Sequence, residues 1–383
     1  MAKQNKPAIR FKEFTDAWEQ RKLGDCFTER CESMPDGELI SVTINDGIKK
    51  FSELGRHDNS NDDKSKYKKV CAGDIAYNSM RMWQGASGCS PYEGIVSPAY
   101  TVLTPNSGIN SKCMAYQFKL PATIHTFKIN SQGITSDNWN LKFPALSKIE
   151  IYVSPYEQEQ AKIAAYFANL DNLITLHQRK YDKLQVLKKA MLEKMFPKNG
   201  SSVPEIRFKG FTDAWEQRKA KELCNIGTGK SNTQDQVEDG IYPFYIRSDI
   251  PVKSNKYLYD CEAVITIGDG NIGRVFHYVN GKFDLHQRCY KMTDFQDIWG
   301  KYFYYFFSTR FYDRAMKMTA KATVDSVRLE MISEMDIWKP TAIDEQKKIA
   351  EFFANLDHLI TLHQRELEKL QNIKKSMLEK MFV

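Results

Sequence analysis

Features of membrane and secreted proteins are missing from this 383-residue sequence. No apolar run approaches the roughly 18 residues of a membrane-spanning helix, and no apolar segment follows Met1–Lys6 as it would in a signal peptide. The eight cysteines include no C-x-x-C pair, so neither a zinc site nor a disulfide framework is expected. We therefore expect a cytoplasmic protein with no membrane partner, whose cysteines are small buried side chains.

Catalytic motifs are also scarce. The sequence contains neither H-E-x-x-H nor G-x-S-x-G, and it lacks an Asn/Asp-Pro-Pro-aromatic tetrad. Gly229-Lys230-Ser231 resembles the end of a phosphate-binding loop, but Cys224 stands where that loop needs its first glycine. These absences favour a binding protein over an enzyme, with no metal or cofactor bound to this chain.

One glycine-rich motif, at 268–273, matches G-x-G-x-x-G literally and follows an apolar strand, Ala263–Ile267. A dinucleotide site needs a helix next, because the helix N-terminus binds the pyrophosphate. Here a strand-like run follows, Arg274–Val279, and then the turn pair Asn280-Gly281. The segment is therefore predicted to be a β-hairpin with a glycine-rich loop.

A short acidic pattern leaves one enzymatic alternative open. Pro35-Asp36 followed by Asp62-Asp63-Lys64 fits a loose nuclease pattern, in which paired carboxylates bind Mg²⁺ beside a lysine. Patterns this short recur by chance, and both pieces lie in turn-like polar sequence. A Mg²⁺-dependent nuclease that uses Asp36, Asp62 and Lys64 stays an alternative hypothesis.

What the sequence does contain is an ordinary globular composition, with 42% hydrophobic and 27% charged residues. Lys and Arg number 55 against 48 Asp and Glu, which gives a net charge of +7. This excess permits a polyanionic partner such as DNA without requiring one. The length allows two domains, each with its own core.

The sequence is repeated twice. Residues 9–22 match 206–219 at thirteen of fourteen positions, and 159–196 match 345–382 at 28 of 38 positions. We call these shared segments the frame. Between them, the first insert (23–150) and the second insert (220–335) show no comparable identity. A duplicated frame around two unlike inserts suggests one type of partner for the frame and a separate target for each insert.

Apolar residues in the shared helices recur at alternating steps of four and three, which predicts a coiled-coil seam in each copy. The order insert, helix, insert, helix suggests that the two helices pair antiparallel, so that the second returns the C-terminus towards the N-terminus. Pro155 and Pro340 precede the helices, and Pro197 ends the first. The seam residues are Ile163, Phe167, Leu170, Ile174, His177, Tyr181, Leu184, Lys188, Met191 and Met195 in the first copy, and Ile349, Phe353, Leu356, Ile360, His363, Leu367, Leu370, Lys374, Met377 and Met381 in the second.

The predicted helices have the length of a spacer. At ~1.5 Å per residue, 38 residues span about 57 Å, whereas DNA half-sites one turn apart lie ~34–36 Å from centre to centre. His177, His363, Lys188 and Lys374 occupy seam positions. We interpret them as polar residues that set register, in preference to a metal pair or a pH switch.

The first insert contains candidate DNA-contacting residues of two kinds. Lysines suit phosphate contacts, and Arg, Asn and Gln suit bidentate contacts with base edges. The lysine stretch is equally compatible with a solvated loop. The candidates are Lys64, Lys66, Lys68, Lys69, Asn78, Arg81, Trp83, Gln84, Asn138, Trp139 and Lys142.

The second insert offers a similar set around its glycine-rich loop. The candidates are Arg247, Ser248, Asn271, Arg274, His286, Gln287, Arg288, Lys321, Thr323, Ser326 and Arg328. The aromatic run Tyr302–Phe307 could stack on bases, but its position in a predicted helix, Ile298–Lys317, favours a core role. Strand-like runs are predicted in the first insert at Glu38–Ile44 and Gly94–Leu103.

Several of these motifs together resemble the DNA-specificity subunit of type I restriction–modification enzymes, over essentially the whole chain. They are the Pro…Glu-Gln…Ile-Ala…Leu-Asp-x-Leu-Ile helices at Pro155–Ile174 and Pro340–Ile360, and the runs Gly73–Asn78, Gly94–Tyr100 and Gly281–Arg288. The combination is specific, whereas no single motif is.

The resemblance implies that each insert is a target recognition domain, which recognises one half of a split, asymmetric double-stranded DNA sequence. It implies mixed α/β (α+β) domains with twisted, barrel-like sheets, separated by an antiparallel coiled coil that docks two methyltransferase subunits. Restriction subunits would join this core, and S-adenosylmethionine, ATP and Mg²⁺ would belong to the partner subunits. A coiled-coil scaffold that never binds nucleic acid remains the other alternative.

The expected organisation has five segments with an internal pseudo-two-fold repeat. They are a shared lead-in at 1–22, a first recognition domain at 23–155, a central spacer helix at 156–200, a second recognition domain at 201–340 and a C-terminal spacer helix at 341–383.

Overall fold

The computed structural model describes residues 5–44, 47–58, 60–134, 138–198, 201–318 and 326–383. The chain divides into two compact units, one formed by Met1–His177 with Arg365–Val383 and the other by Gln178–Gln364. Each unit therefore contains one insert and a portion of both long helices.

The first unit is built mainly from short strands, with most of its helices late in the insert. Its strands are β1 (Glu19–Lys22), β2 (Phe27–Glu29), β3 (Ile40–Thr43), β4 (Gly47–Lys50), β5 (Lys68–Val70), β6 (Ile75–Asn78), β7 (Ser87–Cys89), β8 (Gly94–Val96), β9 (Tyr100–Pro105) and β10 (Glu150–Val153). Its helices are α1 (Leu23–Cys26), α2 (Ser111–Gln117), α3 (Pro121–Asn130), α4 (Phe143–Leu146) and the start of α5 (Glu157–Lys194). A four-stranded antiparallel sheet, β2-β9-β6-β7, forms its centre.

The second unit contains a larger sheet. Its strands are β11 (Glu216–Lys219), β12 (Asn225–Thr228), β13 (Tyr242–Tyr245), β14 (Val252–Ser254), β15 (Tyr259–Ile267), β16 (Phe276–Leu285), β17 (Cys289–Thr293) and β18 (Asp336–Lys339). Its helices are α6 (Ala220–Leu223), α7 (Gly300–Lys317), α8 (Leu329–Ser333) and most of α9 (Ile343–Met381). Six strands pair in the order β12-β17-β15-β16-β13-β14, and α7 packs on β15 and β16.

The two long helices are confirmed. Helix α5 has 38 residues and α9 has 39, and every predicted seam residue is buried or half-buried. In the first unit Phe167, near the start of α5, stacks on Phe382, just beyond the end of α9. In the second unit Phe196 stacks on Phe353 in the same way. The helices therefore pair antiparallel within each unit.

The polar seam positions include two ion pairs that occupy equivalent places in the two units. The Nζ atom of Lys374 lies 2.5 Å from a carboxylate oxygen of Asp171, and that of Lys188 lies 2.5 Å from one of Asp357. Each pair links one helix to the other at a single register. These contacts support the interpretation of the seam lysines as register residues.

The lead-in segments pack on the starts of the long helices through a buried ion pair. The guanidinium of Arg10 binds Glu159 with two hydrogen bonds of 2.6 and 2.8 Å, and that of Arg207 binds Glu345 with two of 2.7 and 2.8 Å. The glutamates are 0% and 1% exposed. Bidentate pairing accounts for a charged side chain in each core.

The lead-in segments also contact the ends of the long helices. In the first unit the amide of Ile9 donates to the carbonyl of Lys380, at 2.9 Å. In the second unit the amide of Ile206 donates to the carbonyl of Lys194, at 3.0 Å. The N-terminal lead-in thus lies at the end of α9 as the second lead-in lies at the end of α5. The expected return of the C-terminus to the N-terminus is confirmed.

The aromatic run of the second insert is core, as favoured. Tyr302, Phe303 and Phe307 are each 0% exposed and belong to a large apolar cluster around Phe196 and Phe353. Their helix begins at Gly300 rather than Ile298. Burial leaves these rings no face for nucleic-acid bases.

Two local predictions were wrong. The strand predicted over Gly94–Leu103 is two strands, β8 and β9. A turn separates them, in which the amide of Tyr100 donates to the carbonyl of Ser97. The pair Asn280-Gly281 is not a turn: β16 passes through it, paired with Glu262 and Cys261 of β15. Strand β15 is long enough to occupy the ladder there, which outweighs the local turn preference.

Candidate nucleic-acid interfaces

The lysine stretch of the first insert is divided between ion pairs and solvent. Lys68 lies 3.2 Å from a carboxylate oxygen of Glu29, and Lys69 lies 3.2 Å from one of Glu32. Hydrogen bonding to Glu32 raises the pKa of Lys69. Lys66 is exposed and Lys64 half-buried. Only part of this stretch is therefore presented to a phosphate backbone.

The loop after β6 is held in one conformation by its own hydrogen bonds. The Asn78 side chain accepts from the amide of Met80 at 3.0 Å, and the indole of Trp83 donates to the Met80 carbonyl at 3.0 Å. A 3₁₀ turn, Met82–Gln84, ends at Gly85, whose φ of +81° favours glycine. These internal hydrogen bonds hold the side chains of the loop in defined positions.

The structure brings this loop together with the end of the insert. The rings of Trp83 and Trp139 meet edge-on at 5.3 Å between centroids, and Lys128 lies 5.5 Å from the centroid of Trp139. The amide of Leu141 donates to the carbonyl of Ser79 at 2.9 Å. Around this contact lie the exposed candidates Arg81, Gln84, Asn138 and Lys142. Six sequence candidates thus form one surface.

The candidates of the second insert fall into two groups. Arg274 stacks on Tyr312 of α7, with its guanidinium 4.6 Å from the ring centroid and hydrogen-bonded to the hydroxyl at 3.0 Å. The other group surrounds Asp269, whose carboxylate binds both Arg247 and Arg288. Asn271 is exposed on the glycine-rich loop, and Ser248, Ser326 and Arg328 lie at least partly exposed. Lys321 and Thr323 lie outside the described residues.

His286 supports the second group from beneath. It is 4% exposed, and its Nδ1 accepts from the amide of Arg288 at 3.1 Å. Burial, together with Arg247 and Arg288, lowers the pKa of His286, so the ring is neutral at pH 7. The side chain of Gln287 donates to that of Asn232 at 2.5 Å. His286 therefore orients its neighbours and is not itself presented to solvent.

Asp269 was missed by sequence reasoning, although it lies inside the glycine-rich motif. Gly268 approaches the carbonyl of Arg288 so closely that a Cβ atom would lie 2.5 Å from it, and Gly270 has a φ of +84°. These glycines serve a tight hairpin loop, and the predicted β15–β16 hairpin is confirmed. No local sequence signal marks Asp269, because Arg247 and Arg288 lie 22 and 19 positions away along the chain.

Each insert is attached to the frame at an equivalent place, which the sequence does not reveal. A glutamine near the start of the long helix binds the backbone just before a helix of the insert. Gln160 accepts from the amide of Asn110 at 2.8 Å and donates to the carbonyl of Gly108. Gln346 accepts from the amide of Trp299 at 2.9 Å and donates to the carbonyl of Asp297. Asn110 and Trp299 precede α2 and α7 respectively.

The same two helices bind the seam carboxylates. The hydroxyl of Tyr116 in α2 donates to Asp171 at 2.8 Å, and that of Tyr305 in α7 donates to Asp357 at 2.8 Å. Each tyrosine lies six residues after the residue whose amide binds the glutamine, Tyr116 after Asn110 and Tyr305 after Trp299. The inserts therefore diverge in sequence while keeping one mode of attachment.

The described residues contain neither a metal-binding cluster nor a membrane-spanning helix. Within the described ranges, no group of three or more His, Cys, Asp and Glu side chains is arranged to bind a metal ion. Asp36 and Asp62 thus belong to no such cluster there. No described helix is both long and apolar enough to cross a membrane.

Comparison with known proteins gives one consistent result. The curated type I restriction enzyme MjaVIII specificity subunit of Methanocaldococcus jannaschii is 21% identical over 350 residues, which are 82% of this chain and 81% of that protein. The type I restriction enzyme EcoDI specificity subunit of Escherichia coli is 30% identical over 76 residues, 20% of this chain and 17% of that protein. The crystal structure of a type I restriction–modification system S subunit from M. genitalium has the same fold, with a TM-score of 0.69, 15% identity and 99% of both chains covered.

The family model of the type I restriction modification DNA specificity domain matches this chain twice, over residues 15–186 and 212–372. Each match spans one insert with most of its following long helix, so the two matches follow the sequence repeat. The chain therefore belongs to the type I restriction–modification DNA-specificity family, as a non-catalytic DNA-recognition subunit with two recognition domains.

Proposed function

We propose that the first and second inserts recognise the two different halves of a split double-stranded DNA sequence. The observation that carries this proposal is the repeated frame around two unlike inserts. Both inserts are attached alike, through Gln160 with Tyr116 and through Gln346 with Tyr305, yet their presented side chains differ. Two inserts that share an attachment but present different surfaces are suited to recognising different DNA sequences.

The long helices would set the gap between the half-sites. Helix α5 passes from one unit into the other without interruption, and so does α9. The ion pairs of Lys188 and Lys374 restrict the helices to one register. Helices held in one register favour a fixed gap, because slippage would break both ion pairs and the apolar seam.

The frame would also dock two methyltransferase subunits, one on each copy. Leu173 and Leu176 are 44% and 47% exposed on α5, and the equivalent Leu359 and Leu362 are 39% and 44% exposed on α9. Exposed apolar pairs at matching positions suit two copies of one partner. Methyl transfer from S-adenosylmethionine, and ATP- and Mg²⁺-dependent cleavage by added restriction subunits, would then belong to those partners.

Methylation mapping of a host that expresses the chain with its methyltransferase subunit tests the proposal. We expect methylation at one asymmetric, bipartite sequence with a gap of constant length. Methylation at a continuous site, or none above that of the methyltransferase alone, would contradict it. Cleavage by the purified chain with Mg²⁺ alone, lost in Asp62→Ala, would instead support the nuclease hypothesis. Absence of DNA binding by the complex at low salt would support a scaffold.

The docking surface has its own test. We expect Leu176→Glu with Leu362→Glu to prevent co-purification of the methyltransferase subunit, because each variant places a charge within an apolar contact. Val186→Glu is the matched control, since Val186 is 70% exposed on α5 but is not repeated in α9. Equal co-purification of both variants would exclude these leucines from the contact.

A further inference from the structure

The ends of several strands of the second insert meet at the Asp269 carboxylate. Gly268, at the end of β15, donates its amide to the carbonyl of Arg288 at 2.8 Å, and its own carbonyl accepts from the amide of Val327 at 2.7 Å. Arg247 follows β13, and the amide of His286 bonds to the carbonyl of Tyr245 at the end of that strand. The backbone next to Asp269 is therefore held in place by hydrogen bonds to neighbouring segments.

One carboxylate binds two arginines there. Nη1 of Arg288 lies 2.8 Å from Oδ2 of Asp269, and Nη1 of Arg247 lies 3.2 Å from the same oxygen. The carboxylate side chain is 16% exposed, whereas those of Arg247 and Arg288 are 45% and 63% exposed. Burial alone would raise the pKa of Asp269, but Arg288 and Arg247 outweigh it and lower that pKa. Asp269 is thus ionised and orients two presented guanidinium groups.

Arg288 and Asp269 border a cavity of about 270 Å³. Its lining includes Thr228, Asp269, Gln287, Arg288, Tyr290 and Ser326. The arginines use Nη1 for Asp269, and their other guanidinium N–H groups meet no acceptor among the described residues. Oriented donors that still lack a partner are what a DNA-reading arginine requires.

The chemistry favours a base edge over a phosphate. A phosphate would be repelled by the ionised carboxylate between the two arginines. In the major groove, by contrast, guanine offers two acceptors to an arginine fork, and the paired cytosine offers an N4 amine to a carboxylate. An arginine beside an aspartate therefore matches both members of a G·C pair.

We propose that Arg288 and Asp269, with Arg247, recognise a G·C base pair in the half-site bound by the second insert. Arg288 binds the guanine edge, and Asp269 positions both arginines and accepts from the cytosine amine. The proposal rests on the proposed function of the inserts and adds the base pair that this one recognises.

Methylation mapping with variants of the full chain, co-expressed with its methyltransferase subunit, tests the proposal. We expect Arg288→Lys and Asp269→Asn to relax the same G·C position, with discrimination falling about 10- to 100-fold. Lysine keeps the charge of Arg288 but loses its planar fork. The other half-site and the gap should not change. Asp336→Asn is the control, because Asp336 also binds a basic side chain, Lys219, but belongs to the β11–β18 pair.

The outcomes separate this inference from the function on which it rests. A wild-type complex that methylates no bipartite sequence would contradict both. A bipartite wild-type map that either variant leaves unchanged would contradict the G·C assignment alone. Uniformly weaker methylation of all sequences, with a smaller salt dependence of DNA binding, would assign these arginines to phosphates and overturn it. Co-purification with the methyltransferase subunit verifies that each variant is folded.

Discussion

Each buried glutamate of the frame is bound by an arginine of the preceding lead-in segment. Glu159 is held by Arg10, whose side chain is only 11% exposed, and Glu345 by Arg207, at 15%. Since these four residues belong to the repeated segments, each unit depends on one such pair. Removing either carboxylate charge would leave a poorly hydrated guanidinium without its partner.

We expect Glu159→Gln and Glu345→Gln each to lower the free energy of unfolding by about 3 kcal/mol, the lower part of the range for a broken buried pair. Denaturant titration measures this. Glu19→Gln is the control, because the Glu19–Arg21 pair is 50% and 36% exposed and should contribute under about 1 kcal/mol. Similar losses in all three variants would contradict the assigned role of burial.

Buried thiols give the protein a predictable response to alkali. Burial raises the pKa of Cys26 to about 11 and that of Cys224 to about 12, whereas an unfolded thiol has a pKa of about 8.5. Between those values the unfolded chain has lost protons that the folded chain still holds. These thiols therefore stabilise the fold fully below about pH 8.5 and progressively less as the pH rises towards 11.

We expect Cys26→Ala and Cys224→Ala each to reduce the fall in unfolding free energy between about pH 8.5 and 11. The measurement is a series of denaturant titrations in reductant at increasing pH. Cys31→Ala is the control, since Cys31 is exposed. If the pH dependence of the Cys26 and Cys224 variants equals that of wild type, the assigned role of thiol burial is wrong.

At the scale of elements, α2 and α7 are the attachment points of the inserts. Tyr116 and Tyr305 bind aspartates that also bind Lys374 and Lys188. Each seam carboxylate thus links an insert, its own helix and the partner helix. Contacts of this kind would let inserts diverge on every other surface without losing their place in the molecule.

We expect Tyr116→Phe and Tyr305→Phe each to lower the free energy of unfolding by about 1–2 kcal/mol, since each loses a hydrogen bond to a half-exposed carboxylate. The recognised DNA sequence should stay the same, which methylation mapping would check. Tyr181→Phe is the control, because its hydroxyl contacts only the exposed Gln185 in the described structure. A changed target sequence in Tyr305→Phe would place this residue in recognition rather than attachment.

How far the sequence predicts these elements depends on the range of the interactions involved. Helix α5, its seam and the β15–β16 hairpin follow from periodicity and local glycine chemistry, so they could be predicted. The prediction of a turn at Asn280-Gly281 was wrong because pairing with a non-local strand, β15, determines the conformation of that segment. Asp269 and the Gln160 and Gln346 attachments could not be predicted, since they join residues distant in sequence.

At the scale of the whole molecule, the proposed spacer role of the helices can be tested by changing their length. The ion pairs Lys188–Asp357 and Lys374–Asp171 occupy equivalent positions on either side of Arg179 in α5 and Arg365 in α9. A heptad inserted after each of these arginines would lengthen both helices while keeping the apolar seam in phase. Seven residues add about 10.5 Å of helix.

We expect this double insertion to lengthen the gap between half-sites, by up to about three base pairs at ~3.4 Å each, and to leave both half-sites unchanged. Methylation mapping measures the gap. A heptad placed in α5 alone shifts the helices out of register, so it should lower thermal stability instead. An unchanged gap in the doubly extended protein would contradict the spacer role.

We propose that the two inserts recognise DNA independently of each other on a common frame. Exchanging residues 220–335 for the corresponding insert of another family member, with α5, α9 and both lead-ins kept, tests it most directly when methylation is mapped across a genome. We predict that one half-site changes while the other half-site and the gap stay as they were. A map in which both half-sites change, or in which neither does, would contradict the independence of the inserts.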